Sequence, residues 1–334
     1  MKAFVSLHSA PSLAIALVAA AASLLLPPSV ARAIHPTATK LHSRATADTA
    51  LASFGQSVAV SDKWILIGEP LNDSVAPDAG AVHVFSALTG RYLRTLTGAE
   101  TLTGDQFGAS VALCGDIAAI GAPFDDTGAM NSGAIYLFDL RKGTQLRQVV
   151  PTVPIADQLY GLSVSLSGDQ ALVGAPQPAT GNGRAYLVEV STGVQLRVFT
   201  AADGAADDRF GHSVALCGRV AAIGAPQGDG AVADCGTVYV YDTKDGSFVS
   251  ESDGSDAAAG DAFGESVALS DGYLVAGAPA KDSDTGAAYV FSLNGGAELW
   301  KLEAADAATS HRFGNAVAAS GAMVLVGEHR WSLG

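Results

Sequence analysis

The feature that most constrains this chain is a unit that returns at near-constant spacing along its length. Phe-Gly stands at Phe54, Phe107, Phe210, Phe263 and Phe313, and Tyr160-Gly161 fills the one gap. Fourteen residues after each aromatic comes a glycine: Gly68, Gly121, Gly174, Gly224, Gly277 and Gly327. Four of these open Gly-Ala-Pro; the first reads Gly68-Glu69-Pro70 and the last Gly327-Glu328-His329. A further glycine (Gly80, Gly133, Gly183, Gly236, Gly286) leads an apolar run and precedes the next aromatic by 27 residues every time. The period is 53, 53, 50, 53 and 50. One segment absorbs the difference, the nine, nine, six, nine and six residues between the triplet proline and that glycine. Repeats of this length are single supersecondary units that bury their faces against their neighbours.

Each unit reads as four strands. In Phe107–Leu113, Phe107, Val111 and Leu113 form a bulky face and Gly108, Ser110 and Ala112 a small one, which suits a strand covered on both sides. Two-residue turns rich in glycine follow, Gly115-Asp116, Gly168-Asp169 and Asp271-Gly272, with the chemistry of tight hairpins. A second strand, apolar on both faces (Ile117–Ile120, Tyr273–Ala276), runs into the triplet. Turns such as Thr89-Gly90, Lys142-Gly143 and Asp245-Gly246 join the third strand to a fourth, as in Arg91–Leu96. Four-stranded antiparallel units at this spacing predict an all-β fold, a β-propeller with repeats starting near 54, 107, 160, 210, 263 and 313. A β-solenoid would need a much shorter period. Glycine, 38 of 334 residues, is spent on this framework.

The sixth repeat is incomplete: it reaches Gly334 just after its second strand, for 22 strands in all. Residues 34–53 form a lead-in with a weak echo of an outer strand around Lys40–Arg44. The ring is therefore either open, or closed by a second chain or by a missing C-terminal segment. A shortened copy of a longer protein is the favoured account, since an open sheet edge invites aggregation.

Before the repeats, Lys2, the apolar run Leu13–Leu26, Pro27-Pro28 and Ala31-Arg32-Ala33 have the layout of a cleaved secretory signal over residues 1–33. The run of 14 residues is too short to cross a bilayer. The expectation is a secreted product with no membrane span. Its formal charge of −14 becomes −16 once Lys2 and Arg32 are removed, which disfavours nucleic acid and favours basic partners or cations.

Phe-Gly, Ser-Val-Ala and Gly-Ala-Pro at fixed spacing resemble the FG-GAP repeat of the integrin α-subunit N-terminal β-propeller and of many secreted repeat proteins. The resemblance covers residues 54–334. It implies an extracellular protein or glycan binding and adhesion module without catalysis. In the family's calcium-binding members an acidic loop of the Asp-x-Asp-x-Asp-Gly kind lies between Phe-Gly and Gly-Ala-Pro. Here a two-residue turn closes that interval in all six copies, so the family's calcium is not carried over, and no cofactor or metal is expected there.

Antiparallel pairing puts the variable segment and the long connection into the next unit at one end of each blade, leaving only tight turns at the other. In the family the corresponding face meets ligands. It also gathers acid. The variable segments hold Asp73, Asp78, Asp125, Asp126, Asp229, Asp234, Asp282 and Asp284, and the long connections add Glu100, Asp105, Asp157, Asp203, Asp207, Asp208, Asp253, Asp256, Asp261 and Asp306. Together these are 18 of 33 acids, which makes this face the candidate site for a basic protein or for weakly held Ca²⁺. The competing reading is a solvated acidic surface that serves solubility. Asn72-Asp73-Ser74 is a glycosylation sequon on the variable face, so Asn72 is the glycosylation candidate, and the chain a glycoprotein, if the source is a eukaryote. His212, two residues after Phe210, lines the channel or the binding face in one reading and a substitution-tolerant position in the other. Cys114, Cys217 and Cys235 show no pairing that spacing supports. No nucleophile triad, phosphate loop or carboxylate pair appears. Two further readings are an accessory propeller of a secreted hydrolase and a structural wall or matrix protein.

Overall fold

A computed structural model describes residues 41, 53–177, 181–270, 272–306 and 308–329. The expected signal (1–33) lies outside them, as does all of the 34–53 lead-in but Leu41 and Ser53. Within them are five four-stranded antiparallel sheets and one two-stranded sheet, each in simple sequence order. The first sheet is β1 (Val58–Val60), β2 (Trp64–Glu69), β3 (Ala81–Ser86) and β4 (Tyr92–Leu96). The second is β5 (Ser110–Cys114), β6 (Ile117–Ala122), β7 (Ala134–Asp139) and β8 (Thr144–Val149). The third is β9 (Ser163–Ser167), β10 (Gln170–Ala175), β11 (Arg184–Glu189) and β12 (Gln195–Phe199). The fourth is β13 (Ser213–Cys217), β14 (Val220–Ala225), β15 (Thr237–Asp242) and β16 (Phe248–Ser252). The fifth is β17 (Ser266–Ser270), β18 (Tyr273–Ala278), β19 (Ala287–Ser292) and β20 (Glu298–Leu302), and β21 (Ala316–Ser320) with β22 (Met323–Gly327) forms the sixth. First strands abut in order, β1 to β5, β9, β13, β17 and β21, as blades around an axis require. Among the described residues no helix is long and apolar enough to cross a membrane.

Each first strand starts later than the Phe-Gly pattern predicts, by four residues in β1 and by three in the others. Phe107 stays outside β5, bridging in parallel to Gly80 of the preceding blade, and Gly108 (φ 95°) turns the chain into the strand. Second strands run longer than expected, through the Gly-Ala of the triplet, as in β6 and β18.

The reason is the seam between blades. Phe107 is buried between Leu66, Val82, Val84 and Leu96 of one blade and Ile120, Tyr136 and Phe138 of the next. Its amide donates to Ala79 O at 2.9 Å, and Tyr160, Phe263 and Phe313 repeat that bond to Ser132, Cys235 and Thr285. Beside it, the first-strand serine donates its hydroxyl to the carbonyl of the next Phe-Gly glycine. Ser57 reaches Gly108 O at 2.7 Å, Ser110 Gly161 at 2.7 Å, Ser163 Gly211 at 2.9 Å, Ser213 Gly264 at 2.7 Å and Ser266 Gly314 at 2.8 Å. The triplet glycine lies directly over this bond. A Cβ on Gly121 would stand 1.9 Å from Gly161 O and 2.4 Å from Ser110 Oγ. Phe-Gly, Ser-Val-Ala and Gly-Ala-Pro are thus three sides of one joint.

A second tie joins outer strands. Arg147 Nη2 donates to Ser191 O at 2.5 Å, and Arg197 donates to Thr243 O at 3.0 Å and to Lys244 O, the third-to-fourth turn of the following blade. The three described cysteines are unpaired, as their spacing implied.

Removing one latch hydroxyl while leaving its carbonyl partner buried should cost about 1–2 kcal/mol. Ser110→Ala is therefore expected to lower the urea unfolding free energy by that amount. Gly121→Ala, which drives a methyl group into the joint, should cost about 3 kcal/mol or more or prevent folding. Equal, small losses for both would show that the seam does not carry the fold.

Candidate functional site

The variable segments and long connections do share one end of the blades, and backbone bonds join them. Gly104 N donates to Pro77 O at 2.9 Å, Asp157 N to Met130 O at 2.9 Å, Gly260 N to Asp234 O at 2.8 Å and Arg312 N to Asp284 O at 2.8 Å. Loop conformation depends on the acids themselves. Asp73, Asp126 and Asp229 each accept the amide five residues on, from Asp78 (2.8 Å), Asn131 (2.6 Å) and Asp234 (3.0 Å). Asp78, Asn131, Asp234 and Asp284, each two residues before the strand glycine, hold φ of 52°, 49°, 55° and 61°. Asp and Asn tolerate that left-handed region better than other side chains.

A ring in each third strand ties the loop end to the core. Tyr136 OH donates to Asp125 Oδ2 at 2.6 Å, Tyr239 to Asp203 Oδ1 at 3.0 Å and Tyr289 to Asp256 Oδ1 at 2.6 Å, while Tyr186 OH accepts from Gln158 Nε2. Burial first, and then the adjoining carboxylates, push the Tyr136, Tyr239 and Tyr289 phenols far above their ordinary range. In the first blade His83 takes the tyrosine's place, with Nε2 2.6 Å from Glu69 Oε2. Sequence reasoning missed this anchor, although the aromatic repeats visibly at positions 136, 186, 239 and 289.

Seven candidate acids, Asp73, Asp78, Asp126, Asp229, Asp234, Asp282 and Asp284, are exposed on this face. Asp125 is not: it is 1% exposed, held by Tyr136, by Gln148 Nε2 at 2.9 Å and by the Thr127 amide at 2.9 Å. It is an internal strut rather than a ligand contact. Asn72 is likewise only 2% exposed, and its Nδ2 donates to Glu69 Oε2 at 2.7 Å. The sequon's amide is therefore turned inward in the folded chain. His212 lies at the axial end, Nε2 3.3 Å from Glu265 Oε1 across the seam between the fourth and fifth blades. Burial opposes ionisation of Glu265, but His212, Arg209 and Arg312 hold its carboxyl below the usual range.

Beneath the exposed acids the blades share one internal position, filled differently each time. Two residues before the seam aromatic stands a buried side chain, Asp105, Gln158, Asp208 or Asp261, that accepts the amide three residues earlier. In the second blade burial raises the Asp105 carboxyl to about 6, against the Leu102 amide and with help from Asp125 and Asp126. In the fifth, Lys281, 4% exposed, donates to Asp261 Oδ2 at 2.9 Å and to Asp256 O. Burial works against Asp256, yet Lys301, Tyr289 and Lys281 hold its carboxyl down at about 2.

Among known proteins, the FG-GAP repeat family matches residues 45–85, 93–138, 194–241, 254–291 and 297–332. No curated protein matches the chain. Among solved structures, a chain from "Crystal Structure of Mitotic Checkpoint Complex" superposes with a TM-score of 0.53 at 16% identity, over 79% of this chain and 67% of that one. At that identity the likeness concerns the fold.

The raised Asp105 carboxyl has a consequence for stability. Its proton is held up to about pH 6 in the folded chain but only to about 3.8 when unfolded. The stability it contributes is full below about pH 4 and is lost as pH rises through 6. Asp105→Asn, which keeps an acceptor for Leu102, should thus gain about 1–2 kcal/mol on the parent between pH 4 and pH 7 in urea unfolding. A pH-independent difference would contradict this.

Proposed function

The chain belongs to the FG-GAP repeat family, and from that premise we propose that it is an exported, non-catalytic propeller whose loop face binds the cationic surface of an extracellular protein. FG-GAP repeats imply a protein-interaction module. The observation that carries the finer reading is the set of exposed acids, Asp73 and Asp78, Asp126, Asp229 and Asp234, Asp282 and Asp284, supplied by four blades to one face. Their loops are held by Asp-to-amide bonds and by the third-strand rings, so little ordering is left to be done on binding. Acids from several blades, spread over one rigid face, favour a broad basic surface over a small ligand and raise the rate of encounter. A glycan partner would instead need aromatic platforms. On the described loop face the large aromatics are turned inward: Tyr136, Tyr160 and Tyr289 are at most 1% exposed. Export rests on the layout of residues 1–33, and basic extracellular proteins are the corresponding partner class.

Two experiments test this reading. The full chain, expressed with its leader, should be recovered outside the cell with its N-terminus near Ile34; retention inside with Met1 intact would overturn export. Immobilised chain should capture polylysine and basic extracellular proteins in a salt-dependent manner. Replacing Asp73, Asp126, Asp229 and Asp282 together by Asn should weaken that capture by about tenfold or more. Undiminished capture would place the binding surface elsewhere.

A further inference from the structure

The fourth blade repeats the internal position of the fifth but lacks its lysine. In four blades the strand glycine donates its amide to the carbonyl of one equivalent residue. Gly80 bonds to Asn72 O, Gly133 to Asp125 O, Gly236 to Gly228 O and Gly286 to Lys281 O, at 2.9–3.0 Å. Gly228 is therefore the counterpart of Lys281. The oxygens that receive the ammonium in the fifth blade also have counterparts. Asp208 corresponds to Asp261, and Asp203 to Asp256, each of the latter pair accepting the hydroxyl of its blade's tyrosine.

Charge makes the difference matter. Asp208 is 6% exposed and forms no ion pair among the described residues. Burial raises its carboxyl against the Ala205 amide, and Asp229, Asp203 and Asp234 raise it further. A separate unpartnered atom lies near the root of the missing lysine. Thr237, 2% exposed, has an Oγ1 that is buried without a hydrogen-bond partner. That oxygen lies 3.4 Å from the position of a Cβ on Gly228, where the Lys281 side chain begins in the fifth blade. The fifth blade has Ala287 at this position, with no oxygen to offer. So where the lysine is present the hydroxyl is absent, and where the hydroxyl is present the lysine is not.

We propose that the fourth blade binds a hard cation, Ca²⁺, in the place that the Lys281 ammonium fills in the fifth. Its protein oxygens are the Asp208 carboxylate, the Asp203 main-chain carbonyl and Thr237 Oγ1, with water completing the shell. Among the described residues no three His, Cys, Asp or Glu side chains converge on one point, and a mixed set of carboxylate, carbonyl and hydroxyl suits an oxygen-seeking cation rather than a transition metal. Four neighbouring carboxylates (Asp203, Asp208, Asp229 and Asp234) favour a divalent charge over a monovalent one. This site lies at the loop end of the blade, away from the hairpin between first and second strands. It is independent of whether the exposed acids bind protein.

The test is thermal unfolding of the full chain with CaCl₂ at constant ionic strength, with MgCl₂, NaCl and KCl as controls. Ca²⁺ alone should raise Tm in a saturable way. Asp208→Asn should weaken the Ca²⁺ dependence by about tenfold or more. Thr237→Val, which removes the unpartnered hydroxyl at nearly constant volume, should leave the cation-free Tm unchanged or higher while weakening the Ca²⁺ response. That combination separates a ligand role from a packing role. Gly228→Lys should abolish the Ca²⁺ shift by supplying the ammonium in cis. No Ca²⁺ shift in the parent chain, an equal shift with the control salts, or a shift undiminished in both Asp208→Asn and Thr237→Val would overturn the site.

Discussion

Everything in this molecule depends on how closely one blade approaches the next at the serine-to-glycine joint. A hydroxyl from the first strand caps a carbonyl that the following Phe-Gly turns inward, and the triplet glycine lets the two come together with no Cβ between them. A buried carbonyl left without a donor would cost about 1–3 kcal/mol, so the same oxygen that needs the serine also fixes its position. The aromatic before that carbonyl fills the space between the sheets and anchors its own amide to the previous blade. Three sequence motifs far apart in the chain are thereby one structural element, repeated at five seams.

A rigid seam at the centre leaves the loop end free to vary. The six- and nine-residue segments change length without disturbing the strands, since in four blades the segment re-enters through the same glycine amide. Beneath them the blades have tried several solutions to one problem, what to place beside a buried side chain at the seam. The second uses a carboxyl with a raised pKa, the third an amide, the fifth an ammonium. Acids on this face accordingly divide into an inner set that shapes the loops and an outer set that meets solvent.

Much of the fold was legible because periodicity and turn chemistry are both local. The count of strands, their order and the end of the blade that carries the loops follow from glycine spacing alone, and the described sheets agree. The start of the first strand was not legible. Whether Phe107 lies in β5 or in the seam depends on its bridge to Gly80, a contact 27 residues back that no local pattern reports. The candidate face was legible as a whole, but its acids could not be sorted by sequence. Asp125 and Asp126 are adjacent and chemically identical, yet one is enclosed by Tyr136 and Gln148 and the other is exposed. The burial of Asn72 was hidden for the same reason: Glu69, which replaces the triplet alanine, draws its amide inward. Burial is decided by partners, and partners come from other strands.

The central claim is that the loop face is preformed, held to the blades by bonds that do not await a ligand. Amide hydrogen exchange on the free chain tests it most directly. The loop amides bonded across segments, those of Gly104, Asp157, Gly260 and Arg312, should be protected alongside the strand amides of their own blades. Protected strands combined with freely exchanging amides at those four positions would contradict it, and would make the face a flexible surface that takes shape only on binding.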